Sequence, residues 1–250
     1  MKIWIFKCLL TFWVALCGWG AAYSQTKQFE TRYETWLAYF NQTRFSNKSG
    51  LWLDVHLRLF DNFSERVGVT ILRPGYTYYL SDQVRLTAGY AYVTFYSPGD
   101  NPNLHEHRPW QQIQWFDKRS WYTQMQWLRL EQRFRQKFEN GQWTGDYNFN
   151  YRVRYNFAMS IPLKGKVMGP KVPFIFLSDE LHINFGKEIV YNYFDQNRLV
   201  VSGGYQFTRG LNLQVGYMYL FQQLTAGDRY VHDHALRIFV FQNIDWRSKN

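Results

Sequence analysis

The stretch Tyr147-Asn148-Phe149-Asn150-Tyr151-Arg152-Val153-Arg154-Tyr155-Asn156-Phe157 decides the fold class. Its odd positions carry Tyr147, Phe149, Tyr151, Val153, Tyr155 and Phe157, and its even positions Asn148, Asn150, Arg152, Arg154 and Asn156. In a strand, successive side chains point to opposite faces, so this order separates an apolar face from a polar one. A helix would scatter both kinds around its circumference. Leu51 to Phe60 alternates in the same way, with Leu51, Leu53, Val55, Leu57 and Leu59 against Trp52, Asp54, His56, Arg58 and Phe60.

Working outward, similar segments recur at Val84 to Tyr96, Trp121 to Phe134, Phe174 to Gly186, Arg198 to Thr208, Leu211 to Gln222 and Ala235 to Trp246. Weaker alternation marks Thr31 to Gln42, Val67 to Leu80 and His107 to Phe116. In Val67 to Leu80 the outward phase passes from Val67, Val69 and Ile71 to Tyr76, Tyr78 and Leu80, which predicts a bulge beside Pro74. Short turns (Asn47–Gly50, Ser81–Gln83, Asp117–Ser120, Thr208–Gly210) alternate with longer connections (Ser97–Glu106, Phe138–Gly145, Lys187–Asn197, Leu224–Asp233). That asymmetry belongs to an outer-membrane barrel; Pro162 to Pro173 departs from it by being long on the short side. The segments number eleven where a bacterial single-chain barrel should have an even count. The expectation is therefore an all-β fold, an antiparallel transmembrane β-barrel of about 10–12 strands.

The first 24 residues read as a cleaved secretory signal, with Lys2 and Lys7 before an apolar stretch from Cys8 to Trp19 and small residues at Ala22 and Ser24. Residues 25–250 then form one barrel domain. Both cysteines, Cys8 and Cys17, leave with the signal, so neither a disulfide framework nor a thiolate metal site is expected. Aromatic residues make up 20% of the chain while mean hydropathy is −0.44, and no later run is apolar enough for a spanning helix. A chain of this kind enters a membrane as a closed sheet, which pairs its backbone groups and sends alternate side chains to lipid and lumen. The rival architecture is a soluble periplasmic β-barrel that binds a ligand on its aliphatic face. Tyr90, Tyr92, Tyr217, Tyr219 and Phe221 near segment ends favour interfacial aromatic girdles instead.

The net charge of +10 becomes +8 without Lys2 and Lys7. No basic tract or recognition helix points to nucleic acid, so outer-membrane lipid and a small anionic solute are the expected partners. Arg58, Arg85, Arg129, Arg133, Arg152, Arg154 and Arg237 share the inward phase with Asp54, Glu131, Glu180 and Asp245. Such side chains either form ion-paired ladders that fill a narrow lumen, or line a path that prefers anions. Arg129, Glu131 and Arg133 alternate in sign on one strand face and are expected to satisfy one another. The pairs His105/His107 and His232/His234 each put two imidazoles on one face, and only their meeting in space would make a metal site. Ser178 and His182 share a face, but four residues along a strand is about 13 Å. No catalytic residue, metal or cofactor is assigned. Trp110, Trp115, Trp121 and Trp127 have interfacial anchoring as their expected role.

Glu106-His107-Arg108-Pro109-Trp110-Gln111-Gln112, Leu128 to Phe134, Asp179-Glu180-Leu181, and Asp195-Gln196-Asn197-Arg198 leading to Gly216-Tyr217 together resemble the bacterial family called domain of unknown function 2490. The resemblance covers nearly the whole mature chain. It implies an outer-membrane barrel of Gram-negative bacteria and supplies no activity, substrate or catalytic residue. The expected role is structural or a narrow small-solute or ion conduit; an outer-membrane enzyme acting on lipid or surface glycan is the alternative.

Overall fold

The structure is a computed structural model that describes residues 26–247; the expected signal segment lies outside the described residues. Eleven strands close into one barrel: β1 (Gln28–Arg44), β2 (Ser49–Phe60), β3 (Arg66–Tyr79), β4 (Val84–Phe95), β5 (Leu104–Lys118), β6 (Thr123–Glu139), β7 (Gln142–Pro162), β8 (Val172–Phe185), β9 (Phe194–Gln206), β10 (Leu211–Gln223) and β11 (Arg229–Asp245). Each sequence neighbour pairs antiparallel, and β1 closes on β11 in parallel. The fold is thus all-β and mixed, because an odd number of alternating strands brings the first and last together pointing the same way. A parallel ladder is slightly weaker per residue than an antiparallel one. Here it runs the full 17 residues of both strands, and facing rings stack across it: Phe40 on Phe241 at 4.7 Å and Tyr33 on His234 at 5.5 Å.

Partners can be followed once around the wall, from Arg44 to Gly50, Thr77, Thr87, Gln112, Arg129, Arg154, His182, Gln196, Gln222, Val231 and back to β1 at Glu30. Leaving at 44 and returning at 30 is a stagger of 14 residues. Stagger and strand number together set the tilt, roughly 35–45° in barrels, and leave an interior that long side chains can span.

Burial follows the alternation read from sequence. On β2, Leu51 and Val55 are exposed while Asp54 is wholly buried; on β9, Val201 is 57% exposed and its neighbour Val200 only 8%. The polar phase faces inward and the aliphatic and aromatic phase forms the outer wall.

Two local expectations are corrected. Val69 and Ile71 are buried, in phase with Arg73, Thr77 and Tyr79, so β3 keeps one phase through Pro74. The β2–β3 register instead shifts between Arg58 and Leu59, whose partners Val69 and Val67 flank Gly68. Pro74 lacks an N–H and interrupts the pairing to β4 without moving it, since Leu72↔Tyr92 and Gly75↔Gly89 belong to one register. The second correction is the connection expected at Phe138 to Gly145. β6 and β7 continue to a tight turn at Asn140-Gly141, both with positive φ (52° and 76°), the conformation that Asn-Gly supplies in a two-residue hairpin.

At the same end as the short turns, Arg44 bonds Asp82 at 2.6 Å, and that guanidinium holds the Asp82 carboxyl below its ordinary range.

Candidate functional site in the barrel lumen

The inner wall carries a connected ionic network. Glu106 on β5 takes hydrogen bonds from Arg108 (2.8 Å), Arg133 (2.9 Å) and Arg135 (3.1 Å). Glu131 on β6 accepts from Arg152 (2.6 Å) and Arg154 (2.8 Å) of β7, and Arg108 approaches it at 3.7 Å. Arg152 continues to Asp195 (2.9 Å) and Arg154 to Glu180 (2.6 Å). Glu180 also lies 2.8 Å from His182 and 3.8 Å from Arg198. A smaller set on β2 and β3 joins Asp54 to His56 (3.0 Å) and Arg73 (3.2 Å). Removing one partner of a buried pair of this kind typically costs about 3–5 kcal/mol.

The pairing runs across strands. Arg129 comes no nearer than 3.8 Å to Glu131, and Arg133 turns to Glu106 on the neighbouring strand, so the three alternating charges of β6 do not mainly satisfy one another. Most of the guanidiniums reach a carboxylate on a neighbouring strand, facing or diagonal, while Arg108 also closes on Glu106 two residues along its own strand. Asp245 sits at the turn-end rim with Arg247 at 2.6 Å, apart from the network.

Three inner arginines have no acid. Among the described residues, no carboxylate comes within 4.0 Å of Arg58, Arg85 or Arg237. Each lies over an aromatic ring instead: Arg58 over Trp36 (3.6 Å), Arg85 over Phe116 (4.6 Å) and Arg237 over Phe239 (3.9 Å). Arg85 donates to Gln114 (2.8 Å), and Arg237 to Gln214 (3.0 Å) and Ser202 (3.3 Å). All three border a cavity of 1630 Å³ whose lining extends from Arg44, Asp82 and Arg247 at one end to Arg135 and Thr225 at the other.

The lumen is graded along its axis. From the short-turn end, β8 presents Phe174, Phe176, Ser178, Glu180 and His182 in order, and β11 presents Phe241, Phe239 and Arg237. Phe40, Phe174, Phe176, Phe239, Phe241 and Met125 pack as one apolar chamber near the turns, and the ionic network lies beyond it.

Trp110 and Trp127 correct the anchoring expectation. Trp110 is wholly buried in the lumen beneath Arg129 at 4.5 Å, and Trp127 also lines the cavity; Trp121 is exposed in a turn. The histidine pairs face outward on β5 and β11. Strands β1–β4 separate them one way round and β6–β10 the other, so they do not meet. The described residues contain no cluster of three or more groups able to hold a metal. Ser178 and His182 both lie on β8 with Glu180 between them. Sequence reading left Arg73, Asp195, Arg198 and His182 out of the network, and placed Glu106 and Arg108 only in a motif. The phase shared by Glu106, Arg108 and Trp110 was the signal available for the last two.

The molecule is therefore a closed mixed β-barrel with an ion-paired, arginine-rich interior. Its chain belongs to the family described as "Protein of unknown function (DUF2490)", which matches residues 33–231. No curated protein and no solved structure matches it.

Proposed function

We propose that this barrel resides in the bacterial outer membrane and acts as a narrow conduit that prefers small anions. The observation that carries this reading is the set Arg58, Arg85 and Arg237, acid-free guanidiniums bordering a cavity that extends towards both ends of the barrel. A pore wall carrying uncompensated positive charge in a low-dielectric surround favours anions over cations. The Glu106 and Glu131 pairs narrow the path and restrict it to small solutes. An outer wall of aliphatic and aromatic side chains with polar groups inside is the partition a lipid bilayer requires.

The test is the reversal potential of the refolded protein in planar bilayers under a potassium chloride gradient. Anion selectivity is expected, and Arg85→Gln combined with Arg237→Gln should lower the chloride-to-potassium permeability ratio several-fold. A correctly inserted barrel that conducts nothing, or that prefers potassium, sinks the conduit reading.

A further inference from the structure

The two outward histidine pairs belong to a larger repetition. Leu86, Gly89, Tyr90, Tyr92, His105 and His107 recur as Leu213, Gly216, Tyr217, Tyr219, His232 and His234, each 127 positions later. The β3–β4 turn recurs at the same distance: Ser81 accepts from the backbone of Val84 (3.0 Å) and Gln83 (3.2 Å), and Thr208 from Leu211 (3.1 Å) and Gly210 (3.2 Å). Gly75 faces Gly89, and Ser202 faces Gly216. Asp54-Val55-His56 and Glu180-Leu181-His182 repeat an inward acid–histidine pair one residue out of step, and each ladder shifts register beyond it, between Arg58 and Leu59 and between His182 and Ile183. Strands β2–β5 and β8–β11 are thus two copies of one unit, with β1 and β7 in the place before each and β6 as the strand between.

Inside the barrel the copies have diverged, with Trp110 in one against Arg237 in the other and Arg108 against Ala235. On the outer wall a quartet of two tyrosines and two histidines has stayed the same, down to its hydrogen bonds. Tyr92 bonds His105 Nδ1 (2.9 Å) and Tyr90 bonds His107 Nδ1; Tyr219 bonds His232 Nδ1 (2.5 Å) and Tyr217 bonds His234 Nδ1 (2.6 Å). In each copy the phenol reaches diagonally to the histidine two residues from its facing position. With the phenol as donor, the role that its O–H takes more readily than that of acceptor, Nδ1 accepts and the ring proton lies on Nε2. Each quartet then presents two Nε2–H donors, side by side on one strand face and set among aromatic rings.

We propose that each quartet binds the phosphate of a membrane lipid, giving two sites on opposite walls of the barrel. The inference rests on the membrane reading. Donors on a wall that faces acyl chains need an acceptor, and at the height of an aromatic girdle the bilayer offers headgroup oxygens. A phosphate's several acceptor oxygens suit two adjacent N–H groups.

The test counts lipids retained by the full barrel, reconstituted in bilayers of phosphatidylglycerol or, separately, of a galactosyl diacylglycerol with the same chains, then released for native mass spectrometry. Two phosphatidylglycerol molecules per barrel are expected, one in His105→Phe/His107→Phe or in His232→Phe/His234→Phe, none in the quadruple variant, and no retained galactolipid. Equal retention by the quadruple variant, or equal retention of the galactolipid, overturns the proposal. Displacement of the lipid by millimolar inorganic phosphate would mark the sites as free-phosphate sites and overturn the lipid assignment. A wild-type barrel that never enters the bilayer defeats the membrane reading itself, an outcome distinct from insertion without retention.

Discussion

Val153 and Arg154 are consecutive residues with opposite surroundings. Val153 faces the outer wall, while Arg154 is buried between Glu131 and Glu180. On the proposed membrane placement the outer wall meets lipid, where a cation costs up to about 2–4 kcal/mol, so Val153→Arg should lower recovery of the protein in the membrane fraction. Arg154→Gln leaves Glu131 with Arg152 and Arg108, and Glu180 with Arg198 and His182. It should insert normally and lose about 1–3 kcal/mol, seen as a lower unfolding temperature in detergent. Equal insertion of both variants would refute the assignment of faces. The same facing argument explains why arginine after arginine is tolerated inside: Glu106, Glu131 and Glu180 each serve two or more guanidiniums.

At the scale of the element, close approach between β3 and β4 positions the lumen's most deeply buried indole. Gly75 and Gly89 face one another, and a methyl group on Gly89 would lie 2.3 Å from the Pro74 carbonyl oxygen and 3.0 Å from the Trp110 indole. The absent side chains are the space in which Trp110 sits, with Arg129 stacked over it. Gly89→Ala should therefore displace the indole and destabilise the barrel by about 1–3 kcal/mol, the range for overpacking. Tryptophan fluorescence and the unfolding midpoint together check this; an unchanged spectrum with unchanged stability would remove the packing explanation. Gly216 is the same position in the second copy, where an added methyl would meet the Ser202 hydroxyl at 2.3 Å.

At the scale of the whole molecule, the odd strand count and the parallel seam have one cause. Each run of five strands, β1–β5 and β7–β11, begins and ends in the same direction; β6 reverses the chain between the runs, and no such strand lies between β11 and β1. The two ends therefore meet in parallel. Closure leaves no free edge, and a closed barrel in the outer membrane resists detergent until heated. Expressed protein should fractionate with the outer membrane and migrate faster on gels when unboiled. Recovery as soluble periplasmic protein without that shift would make the aliphatic wall a binding surface and overturn the membrane reading.

The strands were legible in sequence because facing alternates residue by residue, a local property that Tyr147 to Phe157 displays without any knowledge of neighbours. All eleven segments proved to be strands. The inward phase of Arg58, Arg129, Arg152 and Arg154 followed from the same alternation. Where alternation blurs, at Val67 to Ile71, the reading took apolar side chains to be outward, yet this lumen has apolar walls of its own in Val69, Ile71 and Val93. Which charge meets which, that β1 closes on β11 in parallel, that Trp110 fills the interior, and that the two histidine pairs stand on opposite walls were decided only by the closed tertiary structure. Register and closure are relations between residues far apart in the chain, and a period of two carries no information about them.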